Sequence, residues 1–358
     1  PEWVIPGKAT YYASAMPRAC GATPLVVTTF EGRPTKLGPN SLHPDASGTD
    51  GFAQASVLDL YAPNRSRQFL KSGKAAKRAD FEAVLAALAT NPAAKIAFLS
   101  GADDSPTRNR LQRALSAKFP AAKFYQHEAL TGEAAKALGD GVKIAADFTK
   151  ADRIVSLDCD FAGTDPQGPV TPFFDRRKPE GKAYEKAPDA SSMNRLYVVE
   201  AAYSLTGGMA DHRLRLKVSE MGEFARQLGL ALAKATGNAG LATVANAVPA
   251  SQASFDSKWV EECAADLAKN GGRSIVVAGP LTPAPVQVLV NAINSALGNI
   301  GATIAAVKTD APAAASIGDL AKAIDASGES LRETATRGSA VHFSLEVTLN
   351  SCVLIAYR

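Results

Sequence analysis

This chain is poor in the residues that build metal centres. Its 358 residues include four cysteines and four histidines, and Cys20, Cys159, Cys263 and Cys352 stand far apart with no Cys-x-x-Cys among them. A zinc knuckle or an iron-sulfur cubane needs several thiolates, usually closely spaced, so neither can be drawn from this pattern. The four read as ordinary part-buried cysteines. Charge of one sign is also scarce, with a formal net charge of +4 spread over the length. The longest basic stretch, Lys71 to Arg78, is short and has no aromatic residue within it, which argues against nucleic acid as a partner. Long apolar runs are missing: nothing approaches the ~18 uninterrupted apolar residues of a membrane-spanning helix. Pro1 to Lys8 has neither the basic nor the apolar region of a signal peptide, so the chain reads as a mature or trimmed domain without a direct membrane span. Gly-x-Ser-x-Gly, His-Glu-x-x-His and Walker loops are absent too, which leaves hydrolase, zincin and NTPase readings with no residue to start from.

What is present is a globular composition, 46% hydrophobic and 21% charged. A chain this long is expected to form two or three domains, because single cores stop growing near ~250–300 residues. Leu25 to Phe30 is β-rich, and Glu31-Gly32-Arg33-Pro34 has the turn chemistry to fold a second strand back on it. Gln54 to Leu60 reads as a short helix. From Asp80 the rhythm alternates helix and strand: Phe81, Val84, Leu85 and Leu88 recur at helical spacing before the strand Ile96 to Leu99, and Leu111, Leu115 and Phe119 share one face of the next helix. Further strands are expected at Lys123–Tyr125, Arg153–Leu157, Leu196–Val199, at the alternating Leu214, Leu216 and Val218, at Ser274–Ala278 and at Thr303–Val307. Helices are expected at Met221–Ala235, Trp259–Lys269 and Val286–Leu297, and Arg176 to Ala190 reads as a charged surface loop. This alternation predicts an α/β protein with mostly parallel sheets and crossover helices. The expected division is an N-terminal β-rich region over 1–70, a first α/β lobe over 71–253 and a second over 254–358.

Several positions are candidates for chemistry. Asp158 and Asp160 alternate by two beyond a strand end, where α/β proteins gather ligands; a metal or ribose role stands beside solvated loop carboxylates or helix caps. Gly101 and Gly279 directly follow strands and can present backbone N–H groups to a phosphate, although a lone glycine there is mainly a turn residue. Asp211-His212-Arg213 suits proton transfer or, equally, a surface ion pair. His127 beside Glu128 is a possible metal ligand or an ordinary satisfied histidine.

The residues then spell a resemblance. Glu31-Gly32-Arg33-Pro34, Gly38-Pro39-Asn40, His43-Pro44, Ser47-Gly48 and Leu58-Asp59-Leu60-Tyr61-Ala62-Pro63-Asn64-Arg65 resemble, in order, the amino-terminal signature of molybdopterin oxidoreductases. Val155 to Phe161, Met193 to Glu200, Thr206 to Arg213, Val277 to Pro280, Asn291 to Asn294 and Leu297 to Asn299 are similar to one branch, the large iron-sulfur subunit of bacterial alternative complex III. The resemblance implies two Rossmann-like lobes with a vestigial pterin cleft near Gly101, Asp158, Asp160, Gly163 and Gly279, open or filled by side chains such as Phe161 and Leu281. Departures from the family matter more. Where members carry a cluster, only Cys20 stands here, and where active relatives ligate molybdenum the chain reads Phe124-Tyr125-Gln126-His127-Glu128, with no Cys or Ser. The resemblance thus implies a metal-free structural module of a respiratory quinol-oxidising complex, with no catalytic or metal-binding residue of its own. Molybdopterin in this chain is not expected, and iron-sulfur clusters belong on a neighbouring domain or chain. The implied partners are iron-sulfur and cytochrome c subunits, and the implied location is the periplasmic face of the bacterial inner membrane. The alternative is an active domain that binds a pterin between its lobes.

Overall fold

A computed structural model of the chain describes residues 5–18, 21–44, 48–63, 68–71, 74–91, 95–101, 105–127, 142–179, 191–308, 310, 312–326, 343–345 and 352–357. Cys20, Glu128 and residues 180–190 of the expected charged loop lie outside them.

The N-terminal region is an antiparallel sheet of β1 (Ala9–Arg18), β2 (Gly21–Phe30) and β3 (Arg33–Pro39). Glu31 and Gly32 both take positive φ, 52° and 77°, as the two central residues of a tight hairpin turn that matches strand twist. The hairpin agrees with the sequence reading, whereas β1 carries small and polar residues with little alternation. It is held by its register on β2, from Ala9 opposite Phe30 to Arg18 opposite Gly21, rather than by a pattern of its own. Met16, Leu25 and Leu37 bury one face against Ala53 of α1 (Gly51–Ala55), which a 3₁₀ turn, Ser56–Leu60, prolongs. The small hairpin β4 (Phe69–Lys71) and β5 (Lys74–Ala76) leads into α2 (Arg78–Ala89), where the Asp80 carboxylate accepts the Lys77 N–H at 2.8 Å and fixes the first turn.

Next come β6 (Lys95–Ser100), α3 (Pro106–Lys118), β7 (Lys123–Gln126), β8 (Val142–Ala146), β9 (Arg153–Leu157), α4 (Thr171–Asp175), β10 (Arg195–Glu200), α5 (Leu205–Gly208) and β11 (His212–Arg215). The remainder is α6 (Met221–Thr236), α7 (Ala239–Ala247), α8 (Ser257–Lys269), β12 (Ser274–Ala278), α9 (Ala284–Ala296), β13 (Ile304–Lys308), β14 (Ala315–Ser316), α10 (Ile317–Ala326), β15 (Phe343–Leu345) and β16 (Cys352–Tyr357). β11 ends earlier than the alternation of Leu214, Leu216 and Val218 suggests, because Lys217 and Glu220 turn the chain into α6. The small-residue stretch after Gly237 forms a helix, α7, capped by the Asn238 carboxamide on the Leu241 N–H.

The central sheet has the order β11-β10-β9-β12 and is parallel throughout. Both faces are covered, as an all-parallel sheet requires, and the strands are accordingly apolar on both sides. Val155, Leu157, Tyr197, Val199, Val276 and Ala278 meet the layer of α6 to α9. Ile154, Leu196, Val198, Ile275 and Val277 meet a second core built on Phe148, Phe161 and Phe173, whose rings pack at 4.9–6.2 Å. Among the described residues, the free edge of β12 is closed by side chains rather than by a strand. Asn294 Oδ1 accepts the Val276 N–H at 3.1 Å while its Nδ2 donates to the Val276 carbonyl at 2.7 Å; the Thr303 hydroxyl donates to the Ser274 carbonyl, and Asn299 Oδ1 accepts the Ser274 hydroxyl at 3.0 Å.

A second sheet has the order β14-β7-β6-β16-β15; β14, β7 and β6 are parallel, β16 is antiparallel to β6, and β15 is antiparallel to β16. β8 and β13 form an antiparallel pair. The division at 253/254 cuts across both sheets, since β12 hydrogen-bonds to β9 and β16 to β6. Neighbourhood in sequence groups elements that long-range strand pairing separates.

Candidate functional site

The central sheet has its topological switch point between β9 and β12. From β9 the chain moves outward through β10 to β11, and β12 returns on the opposite side. In open parallel sheets a ligand crevice lies at the carboxyl ends of such a strand pair. Here those ends carry Asp158 to Asp160 on one side and Gly279 on the other.

That crevice is closed by backbone. The Gly279 N–H donates to the Leu157 carbonyl at 2.9 Å, extending the β9–β12 ladder past the strand ends. A Cβ at Gly279 would overlap the Asp158 carbonyl oxygen, so the two loops lie in contact where a phosphate would have to enter. Asp158 takes a left-handed φ of 49°, uncommon for a non-glycine residue, and so turns the chain away while its own N–H still reaches the Val199 carbonyl at 2.7 Å. Gly279 therefore serves a close approach of two backbones, not a phosphate cradle.

The carboxylates of the mouth bind their own loops. Asp158 Oδ1 accepts the Ala201 N–H at 3.2 Å. Asp160 Oδ1 accepts both the N–H and the hydroxyl of Thr206, at 2.9 and 2.8 Å, and Oδ2 accepts the Thr164 N–H at 3.3 Å, so Asp160 tethers the loop after β9 to α5. Both aspartates thus reach the segment after β10, and Asp160 acts much as a helix cap. Gly163 is needed because a Cβ there would overlap the Asp160 carboxylate. Asp165 accepts the Asp160 N–H at 2.9 Å; burial, and then the nearby Asp160 and Asp158 charges, push its carboxyl above the ordinary range. Asp160→Ala is expected to cost about 1–3 kcal/mol, because it strands three donors around a half-buried loop. Urea unfolding of the variant measures that loss.

Two residues of the mouth were not singled out from sequence. Glu200, 3% exposed at the end of β10, accepts from Arg213 Nε at 2.6 Å and from the Ser204 hydroxyl at 2.6 Å. Gly207 lies so close that a Cβ would overlap the Glu200 carboxylate. The signal was available, as an acidic residue that ends the apolar run Leu196 to Val199 must be paired once buried.

The other candidates disperse. Gly101 follows β6 in the second sheet, where its carbonyl accepts from Arg108 at 3.0 Å and from Gln126 at 3.4 Å. Asp211, His212 and Arg213 have three separate partners: Arg177 chelates Asp211 at 2.6 and 2.9 Å, His212 stacks on Tyr197, and Arg213 joins Glu200. That arrangement holds no proton relay. His127 is exposed at the end of β7. Cys159 and Cys263 are fully buried free thiols rather than part-buried ones, and burial raises both. Phe161 lies inside the aromatic core, while Leu281 is 63% exposed.

Over the mouth, α1 leaves a pocket of about 320 Å³ lined by Asp50, Gly51, Phe52, Ala55, Gly163 and Leu205. A pterin ring needs convergent donors and acceptors, and its phosphates need cations or clustered N–H groups. This pocket is apolar, and the loops beneath it present carboxylates already bonded to their own N–H groups. The residues of the mouth do not fit a pterin dinucleotide.

No family model matches the chain, and no curated protein matches it. Acetylene hydratase from Pelobacter acetylenicus is a solved structure to which the chain is similar, with 12% identity and a TM-score of 0.48, over 82% of this chain and 42% of that one. The chain therefore spans less than half the length of that structure.

Proposed function

We propose that this chain is a structural module of molybdopterin-oxidoreductase type that holds no metal of its own and braces an electron-transfer subunit in a periplasm-facing quinol-oxidising complex. The observation that carries this reading is the contact of Gly279 with the Asp158 carbonyl at the switch point. It replaces a crevice with a joint. The ordered motifs from Glu31-Gly32-Arg33-Pro34 to Leu297-Gly298-Asn299, which resemble that family and branch, support the reading.

An interaction role also accounts for the rim. Phe52, Tyr203, Leu205 and Leu281 stand 57–74% exposed beside a mouth whose carboxylates Asp158 and Asp160 are already bonded to neighbouring N–H groups. Large apolar side chains held on a fixed frame suit burial against another subunit. An iron-sulfur or cytochrome c subunit is the partner that the reading names.

The test is metal and pterin analysis of the chain produced in a host that makes the cofactor. Inductively coupled plasma mass spectrometry should find molybdenum and tungsten far below one per chain, and oxidised-pterin fluorescence should stay at background. Stoichiometric metal with pterin overturns the proposal.

A further inference from the structure

We propose that the groove between α8 and the start of β11, at the end of the central sheet opposite the closed mouth, binds a planar aromatic carboxylate. It is a cavity of about 480 Å³, within the usual size of small-molecule sites. It is independent of the switch-point joint.

The aromatic component comes from three rings. Tyr197 on β10 is buried, and His212 at the first position of β11 stacks on it with centroids 4.8 Å apart and planes 19° apart. Trp259 of α8 meets Tyr197 edge-on at 5.6 Å. The Tyr197 hydroxyl is held by Asp266 at 2.8 Å, which sets the direction of the buried ring, and the exposed His212 lies over it. Beside the half-buried Trp259 this leaves a shelf for a flat ring.

The charge comes from an imbalance at the floor. Asp266 accepts from Arg153 Nε at 2.7 Å and from Arg195 Nη1 at 2.9 Å, so one carboxylate faces two guanidiniums. On the rim Lys258 and Lys269 are matched in number by Asp256 and Glu262. The surplus positive charge therefore lies at the floor, on the more exposed Arg195, next to the shelf. A ligand with one carboxylate directed at Arg195 and one ring lying against His212 and Trp259 satisfies both features.

Trp259 makes the site readable. The chain has two tryptophans, so Trp3→Phe leaves Trp259 as the sole indole reporter. In that background benzoate should change the fluorescence saturably, whereas cyclohexanecarboxylate, with the same charge and no π-face, should bind roughly five- to tenfold more weakly. His212→Ala should weaken benzoate by about fivefold, and Arg195→Gln by about tenfold. Arg215→Gln, on β11 with His212 but outside the groove, should leave it unchanged. Equal affinity for the two carboxylates would reduce the groove to a cationic patch and overturn the proposal, as would no saturable response to benzoate. If Arg195→Gln loses its fold by circular dichroism, the surface variant His212→Ala decides: unchanged affinity there overturns the aromatic shelf.

Discussion

Gly279→Val is expected to destabilise the protein by about 3 kcal/mol or more, since the new side chain must displace backbone and not another side chain. The melting temperature should fall by roughly 5–10 °C. The overlap is with the oxygen and carbon of the Asp158 carbonyl, and Cα of Cys159 adds a tight contact at 3.3 Å; the loop is fixed by the ladder that joins Gly279 N–H to Leu157 and Asp158 N–H to Val199. No rotamer relieves it. Gly38→Ala is the control: its Cβ would meet only the Val26 carbonyl, at an ordinary 3.8 Å, and it should change the melting temperature little. Indistinguishable melting of the two variants would mean that the loops after β9 and β12 do not touch, and the closed switch point would fall with that result.

The strands and helices of the central sheet were legible because each is buried in a way that marks the sequence. Arg153–Leu157, Leu196–Val199 and Ser274–Ala278 are short apolar runs, as strands covered on both faces must be. The carboxyl-end residues were legible by position: Asp158, Asp160, Gly163 and Gly279 do converge. Their role was not, because the same Gly after a strand serves either to admit a phosphate or to let two loops meet, and only the partner distinguishes these. Pairing across long stretches of chain was equally hidden. β12 joins β9 over more than a hundred residues, and β1 has so little alternation that only its register on β2 defines it. Asn294 and Asn299 illustrate the gap most clearly. They belong to the stretches that carried the family resemblance, and their work is to close the edge of β12.

Asp266→Asn should remove much of the joint between α8 and the sheet, and the loss should depend on pH in a definite sense. Asp266 is 14% exposed and accepts from Arg153, Arg195 and the Tyr197 hydroxyl, drawing together α8, β9 and β10. Burial raises its carboxyl, but the bonds from Arg153 and Tyr197 and the charges of both arginines outweigh it and hold the group below the ordinary carboxylate range. Reciprocally, burial and the Asp266 carboxylate push the Tyr197 hydroxyl up to about 12. A carboxyl lowered in the folded state binds fewer protons there than in the unfolded chain. Stability therefore rises with pH through this interval, is complete above the unfolded value of about 4, and is lost as pH falls through the folded one. Glu223, held at about 2 by the Arg226 guanidinium, and Asp152, lowered despite burial by Arg176 and Arg273, act in the same direction. At pH 7 Asp266→Asn should cost about 2–3 kcal/mol, because two part-buried guanidiniums lose their counter-charge. The gap from the parent protein should then narrow as denaturant titrations are repeated from pH 5 towards pH 3, where the carboxylate of the unfolded parent chain takes up a proton before the folded one does. A gap that stays constant across that range would show that packing of the side chain, not its charge, joins α8 to the sheet.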